Sequence, residues 1–416
     1  MTLSCFDLGE QMLSVEAARE ALLTLVPTPL GHERVPLSNA YGRYLAAPIV
    51  ADIDVPAHTN AAMDGIALAW RDARQTHWPV VGTALAGHVF AEHVPAGSCV
   101  RITTGAALPK GTDTVIMREQ LTQGFDGASV EVTHPERVRS GQHVRQAGED
   151  MARGSIPLAA GTRLGAAALG LAAALGQTDV YVYRRPTVAL FSTGDEVTAP
   201  GEPLLAGGVY DANRFTLRGL LQQAGAEVLD LGILPDDREV ITQALEQAMQ
   251  SDLVLTSGGV SMGQADVTRQ ALSDLGRLAF WRVALRPGRP LACGWLGKAC
   301  TPFVGLPGNP VAVMVTFTQF VAPLLARFQG QSDTSPKRLL AVSDEALTSR
   351  VERTDFLRGV YYTGPDGRLR VRSTGAQGSG VLTSMLAANC LIEIAEARDT
   401  VRPGEVVDIQ PLIEGL

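Results

Sequence analysis

Residues 252–267 read DLVLTSGGVSMGQADV, and the pattern of the whole central region is clearest here. The apolar run Asp252–Leu255 predicts a buried strand, the glycine-rich run Thr256–Gly263 predicts a loop, and a helical pattern resumes after Asp266. Glycines let a backbone approach a ligand closely, and the free N–H groups at a helix start favour an anion. Asp266 suits either a helix N-cap or a metal ligand. The stretch therefore indicates an anion-binding loop, and the alternative is an ordinary strand–turn–helix corner.

The same strand–loop–helix alternation continues on both sides of this stretch, over residues 181–330. It predicts a doubly wound α/β domain with a mostly parallel sheet, in which ligands bind beyond the carboxyl ends of the strands. Three loops follow predicted strands, at Ser192–Glu196, Ser257–Gly263 and Gly305–Pro310. We expect them to form one ligand cleft, although three plain turns would have a similar composition. The candidate ligand-binding residues in these loops are Ser192, Thr193, Gly194, Ser257, Gly258, Gly259, Ser261, Pro307, Gly308 and Asn309.

Changes of pattern along the chain predict four domains, and the fold class is α/β plus β. Residues 8–50 and 148–180 look largely helical and form an elongated linking domain, which is interrupted by an inserted small β domain at 51–147. The α/β domain spans 181–330. A last β unit, either a barrel or a sandwich, spans 331–416.

Composition argues against several classes of protein. A hydrophobic fraction of 46% allows large cores, and a net charge of −8 argues against nucleic-acid binding. The 5 cysteines show neither zinc-site spacing nor a disulfide framework, which indicates a reducing compartment and mostly buried thiols. The Ala- and Gly-rich run Leu164–Gly176 is too short to span a bilayer, so we expect a tightly packed helix there. A cytoplasmic protein without a nucleic-acid or membrane partner is therefore expected.

Carboxylates are placed at the predicted strand ends. Asp195 and Glu196 follow one strand, and Asp266 closes the loop after another. Acidic groups gathered at a cleft bind a hard cation such as Mg²⁺ or perform acid–base chemistry. The alternative is the common use of Asp in turns and N-caps.

Three arginines lie close together in the run WRVALRPGRP, at Arg282, Arg286 and Arg289. Guanidinium groups spaced along a strand and turn can bind phosphate or another oxyanion through paired hydrogen bonds. The alternative is a solvated rim of arginines. Together with the carboxylates, they favour an anionic substrate, a bridging cation, and phosphoryl or phosphoanhydride chemistry.

Eight motifs, in a fixed order over nearly the whole chain, strengthen this interpretation. They are AMDG at Ala62–Gly65, RIxTGA at Arg101–Ala106, GED at Gly148–Asp150, STGDE at Ser192–Glu196, TSGGVSxGxAD at Thr256–Asp266, PGxP at Pro287–Pro290, GLPGNP at Gly305–Pro310 and GxQGS at Gly375–Ser379. The set resembles that of the molybdopterin molybdenumtransferase family, the MoeA type that includes the gephyrin E domain.

The resemblance implies an L-shaped, four-domain subunit that forms a homodimer, and it implies a reaction. In that reaction molybdate is inserted into adenylylated molybdopterin with Mg²⁺, which releases AMP and molybdenum cofactor. We also expect transient contact with the molybdopterin adenylyltransferase and with molybdoenzymes. The implied catalytic residues are Asp64, Asp150, Glu196 and Asp266, the implied metal ligands are Glu196, Asp236 and Asp266, and the further implied substrate-binding residues are Thr104, Arg282, Arg286, Arg358 and Ser379.

The chain departs from the family pattern at a few positions. Arg282, Arg286 and Arg289 stand where lysines are usual, Ala61 replaces a serine, and Ile66 replaces an aromatic residue. Two other functions stay open, a non-catalytic gephyrin-like scaffold and a molybdopterin adenylyltransferase. The complete set of motif carboxylates argues against the scaffold, and the AMDG insertion with the C-terminal β unit argues against the adenylyltransferase. Molybdate and tungstate, two similar tetrahedral dianions, both suit the motifs.

Overall fold

The computed structural model describes residues 12–72, 75–123, 127–204, 206–258 and 267–412. These residues form two compact units. The large unit contains the described parts of Met1–Arg34, Gly42–Ala46 and Tyr181–Leu416, and the small unit contains those of Val35–Tyr41 and Ala47–Val180. The small unit includes the predicted insertion at 51–147, and the finer division into four domains stays a prediction.

The helices and strands follow one another along both units. The helices are α1 Val15–Leu23, α2 Ala166–Ala174, α3 Ala212–Gln223, α4 Arg238–Ala248, α5 Val267–Leu275, α6 Pro310–Thr316, α7 Ala322–Phe328 and α8 Leu382–Leu386. The strands are β1 Met12–Leu13, β2 His32–Pro36, β3 Asn60–Ala61, β4 Gly65–Leu68, β5 His77–Ala84, β6 Cys99–Ile102, β7 Thr114–Met117, β8 Leu121–Gln123, β9 Ser129–Val132, β10 Val144–Arg145, β11 Asp179–Tyr183, β12 Thr187–Thr193, β13 Val197–Thr198, β14 Val209–Tyr210, β15 Glu227–Leu234, β16 Leu253–Ser257, β17 Gly276–Val283, β18 Leu285–Arg286, β19 Pro290–Leu296, β20 Thr301–Leu306, β21 Leu339–Ser343, β22 Leu347–Thr348, β23 Thr354–Thr363, β24 Leu369–Ser373, β25 Cys390–Ile394, β26 Thr400–Val401 and β27 Val406–Pro411.

A 7-stranded sheet organises the large unit, with the strand order β1-β17-β19-β20-β16-β12-β15. The pairs β20–β16, β16–β12 and β12–β15 are parallel, whereas β17–β19 and β19–β20 are antiparallel. The predicted α/β fold with a mostly parallel sheet is therefore confirmed. Strands β12, β16 and β20 are almost continuously buried, as expected for strands covered on both faces.

One apolar helical segment packs into the core against this sheet. It runs through α6, a π-helical turn at Phe317–Val321 and α7. Pro310–Phe328 is long and apolar enough to cross a membrane by length and composition, but its most apolar window is 72% buried inside the protein. Val313, Phe320 and Leu324 are fully buried members of the main core. The segment has the burial of a core helix.

A β barrel follows at the carboxyl end of the large unit. Strands β23, β24, β21, β27 and β25 pair in that order, and β23 pairs with β25 to close the ring. The barrel interior is packed with residues such as Leu357, Ile392 and Ile409. The predicted choice between a barrel and a sandwich is thus resolved as a barrel. Strand β18 pairs with β23 in parallel and so joins the Arg286 turn to the barrel.

The small unit contains the β insertion and an exposed helix. Within the range predicted as the insertion lies a 6-stranded sheet in the order β7-β4-β6-β5-β9-β8. Helix α2 has the sequence AAALGLAAA, and of its 9 residues only Ala172 is buried. The predicted helix is present, but the tight packing predicted for Leu164–Gly176 is wrong. The rest of the helix is left partly or fully exposed, although every residue in it is apolar or Gly.

Candidate active site

Three loops begin at one edge of the central sheet because strands β12, β16 and β20 are neighbours. Ser192 pairs with Ser257, and Ser257 pairs with Leu306. The Gly258 N–H donates to the Leu306 carbonyl over 3.1 Å. The loop starts at Thr193 and Gly258 therefore lie side by side beyond the strand ends. The predicted residues Gly259, Ser261 and Asp266 lie outside the described residues.

The first loop is held by a buried carboxylate that sequence reasoning missed. Ser192 is buried, and its hydroxyl lies 3.1 Å from Asp211 Oδ1. Asp211 also caps helix α3 by accepting from the Arg214 N–H, and it forms an ion pair of 2.8 Å with the Arg214 guanidinium. An Asp directly before a helical pattern is an N-cap signal, which would have identified this residue. The Ser192 hydroxyl therefore hydrogen-bonds a side chain of the protein itself.

On the side of β12 and α3, two buried polar atoms at this edge have no partner among the described residues. They are the hydroxyl oxygen of Thr193 and Oδ1 of Asn213. Asn213 donates its Nδ2 to the Gly308 carbonyl over 2.7 Å, which ties α3 to the third loop. Buried polar atoms are normally satisfied, so these two are candidates for contact with a ligand. They indicate that the strand-end cleft is polar on the side of β12 and α3.

Carboxylates follow strands β12 and β15, which are adjacent in the sheet. The Asp236 N–H lies 3.5 Å from Asp195 Oδ1, which brings the two acidic loops together. Glu196 folds over Gly194, since a Cβ added to Gly194 would lie 2.6 Å from Glu196 Oε2. Within the part of the chain that the structure describes, no three acidic, His or Cys side chains are grouped for a metal. Two of the three predicted metal ligands, Glu196 and Asp236, thus lie on neighbouring loops.

We expect Gly194→Ala to impair catalysis by displacing the Glu196 carboxylate. Gly194 has a φ of +127°, so the substitution also strains the backbone, which typically costs about 1 kcal/mol. Gly201→Ala is the matched control, because Gly201 also has a positive φ but nothing lies within 4 Å of its added Cβ. We expect at least a tenfold loss of kcat for Gly194→Ala and little change for Gly201→Ala in steady-state assays. Equal losses in both variants would show that strain alone is responsible.

A cavity of about 490 Å³ lies next to the third loop in the large unit. It is lined by residues 285–290, 307–309 and 377–379, together with Ala312 and Arg353. This volume suits a small ligand or part of a larger one. Of the described residues in the lining, the charged ones are all cationic: Arg286, Arg289 and Arg353. The cationic lining therefore favours an anionic ligand.

The structure places two of the three predicted basic residues in the cavity lining and the third outside it. Arg286 and Arg289 line the cavity, whereas Arg282 lies on β17 opposite Pro290 and outside the lining. The Arg289 guanidinium also lies 3.8 Å from the Met12 sulfur. Pro307, Gly308, Asn309 and Ser379 line the cavity as well. The third loop and the GxQGS motif therefore share one cavity with two of the three arginines.

Arg358 lies behind this cavity and organises one of its walls. It is 1% exposed, and its guanidinium donates to Ser384 Oγ and to the carbonyls of Ala376 and Gly378 over 3.0–3.2 Å. Its backbone N–H donates to Gln377 Oε1, and its carbonyl accepts from Gln377 Nε2. Burial, and next the charge of Arg286, lower the pKa of Arg358 to about 10. It remains a cation at neutral pH and holds the 376–378 loop in place.

In the small unit, two of the predicted motifs meet at Asp64. Asp64 Oδ1 accepts from the Thr104 backbone N–H over 2.6 Å and from its hydroxyl over 2.8 Å. These two hydrogen bonds lower the pKa of Asp64, so the carboxylate is ionised at neutral pH. Asp150 is exposed, and its backbone N–H donates to the Val55 carbonyl. The small unit thus presents two exposed carboxylates on turns.

Comparison with known proteins gives three family matches along the chain. Residues 13–176 match the MoeA N-terminal region (domain I and II), residues 189–327 match a probable molybdopterin binding domain, and residues 341–412 match the MoeA C-terminal region (domain IV).

Curated relatives cover almost the whole chain. A protein named molybdopterin molybdenumtransferase from Haemophilus influenzae is 42% identical over 96% of this chain and 98% of its own length. One with the same name from Nostoc is 34% identical over 91% of this chain and 89% of its own. A solved structure of the molybdopterin biosynthesis MoeA protein from Pyrococcus horikoshii has 30% identity and a TM-score of 0.83, and it covers 97% of this chain and 100% of that one.

Proposed function

This chain belongs to the MoeA family, and on that premise we propose that its arginine-lined cavity and strand-end loops bind the anionic substrates of molybdenum insertion. The protein is an enzyme of molybdenum cofactor biosynthesis, a molybdopterin molybdenumtransferase, like its curated relatives. The observation that supports the site is the cavity, where three arginines and no described carboxylate form the charged part of the lining. Such a charge imbalance favours an oxyanion.

We propose that the two substrates occupy neighbouring parts of the large unit. Molybdate is a compact dianion, which suits the arginine-lined cavity. Adenylylated molybdopterin is a longer polyanion, which suits the strand-end loops, where Thr193 and Asn213 offer buried polar atoms without a partner among the described residues. Gly308 belongs to both regions, since it lines the cavity and accepts from Asn213. This arrangement would bring molybdate close to the pterin nucleotide.

We propose that Glu196 and Asp236, together with the predicted ligand Asp266, hold Mg²⁺. The donors are oxygens, and Mg²⁺ commonly takes one or two protein carboxylates and completes its shell with water and substrate phosphate oxygens. Bound there, the ion would neutralise charge on the phosphoanhydride that releases AMP. The small-unit carboxylates Asp64 and Asp150 stay predicted catalytic residues. Asp64 is ionised at neutral pH, so it is able to orient water or accept a proton.

The activity is tested with purified protein, adenylylated molybdopterin, Mg²⁺ and molybdate. We expect AMP release, measured by chromatography, that depends on molybdate. ATP consumption with metal-free molybdopterin would instead indicate an adenylyltransferase. A folded protein without either activity would support the non-catalytic scaffold. Replacing molybdate by tungstate in the same assay measures the choice between the two dianions.

Glu196→Gln is expected to raise the Mg²⁺ concentration needed for half-maximal activity at least about tenfold, because one anionic ligand is lost. Glu239→Gln is the control, since Glu239 is an exposed residue with the same charge in the first turn of α4. Titration calorimetry with Mg²⁺ gives a second measurement, independent of turnover. Unchanged Mg²⁺ affinity in Glu196→Gln would remove Glu196 from the ligand set.

We also propose that the protein is a homodimer, in which α2 contributes to the interface. A helix that is apolar all round is normally buried, and only Ala172 of α2 is buried within the chain. A second copy of the chain is the partner that the family resemblance implies. Ala167→Glu is therefore expected to shift the protein from dimer to monomer in light scattering, whereas Ala160→Glu, on an exposed loop of the same unit, is not. A wild-type monomer at micromolar concentration would contradict the proposal.

A cytoplasmic location is part of the same proposal. It is supported by Cys99, Cys293, Cys300 and Cys390, which form no disulfide among the described residues, as expected for a reducing compartment. Transient contact with the adenylyltransferase and with molybdoenzymes stays a prediction, and pull-down of each purified partner with the wild-type enzyme would test it.

A further inference from the structure

A buried carboxylate adjoins the arginine-lined cavity. Asp355 is 0% exposed, and it lies on β23 directly opposite Arg286 of β18. Arg353 Nε lies 2.8 Å from Asp355 Oδ1, and Arg353 donates to Oδ2 over 3.2 Å. Arg286 lies 3.6 Å from the same Oδ2. One carboxylate therefore forms ion pairs with two arginines.

Both arginines line the cavity, whereas Asp355 does not. The Arg286 side chain is 47% exposed and the Arg353 side chain is 23% exposed, so part of each guanidinium remains accessible. An arginine has five N–H donors, more than Asp355 can use. Asp355 accepts a hydrogen bond from Arg353 and lies at ion-pair distance from Arg286, so the exposed part of each guanidinium is left for a ligand.

The free-energy cost of burying these charges indicates that the arrangement does more than stabilise the fold. A buried ion pair is weak evidence for stability, since the desolvation of the charges offsets much of their attraction. Long arginine side chains lose rotamer freedom when they bind a ligand, and prior fixation reduces that loss. Burial lowers the pKa of Arg358 most, and repulsion between Arg358 and Arg286 lowers it further. Asp355 forms an ion pair with Arg286, so its negative charge offsets part of this repulsion.

We propose that Asp355 is a positioning residue for oxyanion binding: it fixes Arg286 and Arg353 so that both guanidiniums contact one tetrahedral dianion in the cavity. This inference rests on the proposed function, because it specifies how molybdate is held. The alternative is that the negative charge of Asp355 repels the anion and so weakens its binding. Removal of the charge weakens anion binding if Asp355 positions the arginines, and strengthens anion binding if Asp355 merely repels the anion.

The test compares Asp355→Asn with wild-type protein by calorimetric titration with molybdate, and with sulfate as a second tetrahedral probe. We expect at least a tenfold weaker molybdate affinity, and a raised KM for molybdate with little change in the affinity for adenylylated molybdopterin. In an Arg286→Ala/Arg353→Ala background, the further effect of Asp355→Asn is expected to fall below twofold, because the residue acts through these arginines. Asp399→Asn, an exposed acid of the barrel, controls for the change in net charge.

Unchanged or tighter molybdate binding in a folded Asp355→Asn protein would overturn the inference. If thermal melting shows that this variant is unfolded, Arg353→Lys replaces it, since it keeps the charge and loses the fork. The same tenfold weakening is then expected, and wild-type affinity in Arg353→Lys would overturn the inference. These outcomes differ from failure of the proposed function. In that case wild-type protein would bind the dianion with the same dependence on Asp355 but release no AMP.

Discussion

Asp64→Asn is expected to reduce kcat by about 100- to 1,000-fold while the protein stays folded. The amide keeps an acceptor oxygen for the Thr104 N–H and hydroxyl, which lie 2.6 and 2.8 Å from Asp64 Oδ1, so the turn should retain its geometry. Only the negative charge is removed. Molybdenum-dependent AMP release and thermal melting, measured on the same preparation, separate the loss of chemistry from a loss of structure.

Asp52→Asn is the matched control for this variant, because Asp52 is an exposed acid of the same unit. It is expected to keep wild-type activity. An Asp64→Asn enzyme with more than half of wild-type kcat would exclude Asp64 from catalysis.

The pH dependence of the reaction gives a related expectation for Thr104. Its hydrogen bonds lower the pKa of Asp64, so the carboxylate becomes protonated only at a lower pH than usual. Any stability linked to this group is present above the usual aspartate pKa and is lost as pH falls through the lowered value. Thr104→Val removes one of the two bonds and should shift the acid limb of kcat towards higher pH.

Arg358→Ala is expected to lower the free energy of unfolding by about 3 kcal/mol and to reduce activity at least about 100-fold. The truncation leaves a cavity, and it deprives Ser384 and the carbonyls of Ala376 and Gly378 of their donor. Because Gln377 and Gly378 line the arginine-lined cavity, release of this loop should weaken the proposed molybdate binding as well. Urea unfolding and molybdate titration measure the two effects separately.

Two further variants make this expectation specific. Arg358→Lys keeps the charge but has no planar fork, so it should recover only a small part of the loss. Arg372→Ala, at an exposed position on the adjacent strand β24, should behave like wild type. Full activity in Arg358→Lys would show that charge alone is needed and that the loop contacts are dispensable.

Much of the fold was predictable because it depends on local patterns. The apolar run Asp252–Leu255 corresponds to β16, and Ser192, which begins the predicted loop Ser192–Glu196, pairs with Ser257 at the end of β16. Strand length, glycine turns and alternating elements are set by residues close in sequence. The family resemblance, by contrast, singled out Asp64 and Thr104, which lie 40 residues apart in sequence, as members of separate motifs. Only the fold showed that they form one hydrogen-bonded turn.

Several contacts near the candidate site were missed because they depend on distant neighbours. Asp355 reads as an ordinary strand residue, and its importance comes from the parallel pairing of β18 with β23, which places it opposite Arg286. Asp211 reads as a helix cap, and its contact with Ser192 follows from the packing of α3 beside β12. Helix α2 was predicted correctly as a helix, but its exposure is a property of the surrounding surface.

Local order along the chain was enough to specify the alternating α/β region, the β insertion, the β unit at the end and the motifs that identify the family, since each is written within short runs of residues. The pairing of Arg286 with Asp355, the burial of Arg358 and the gathering of three arginines around one cavity required the folded chain. Those features arise from contacts between remote segments, and their energies depend on burial and distance, which no local pattern contains.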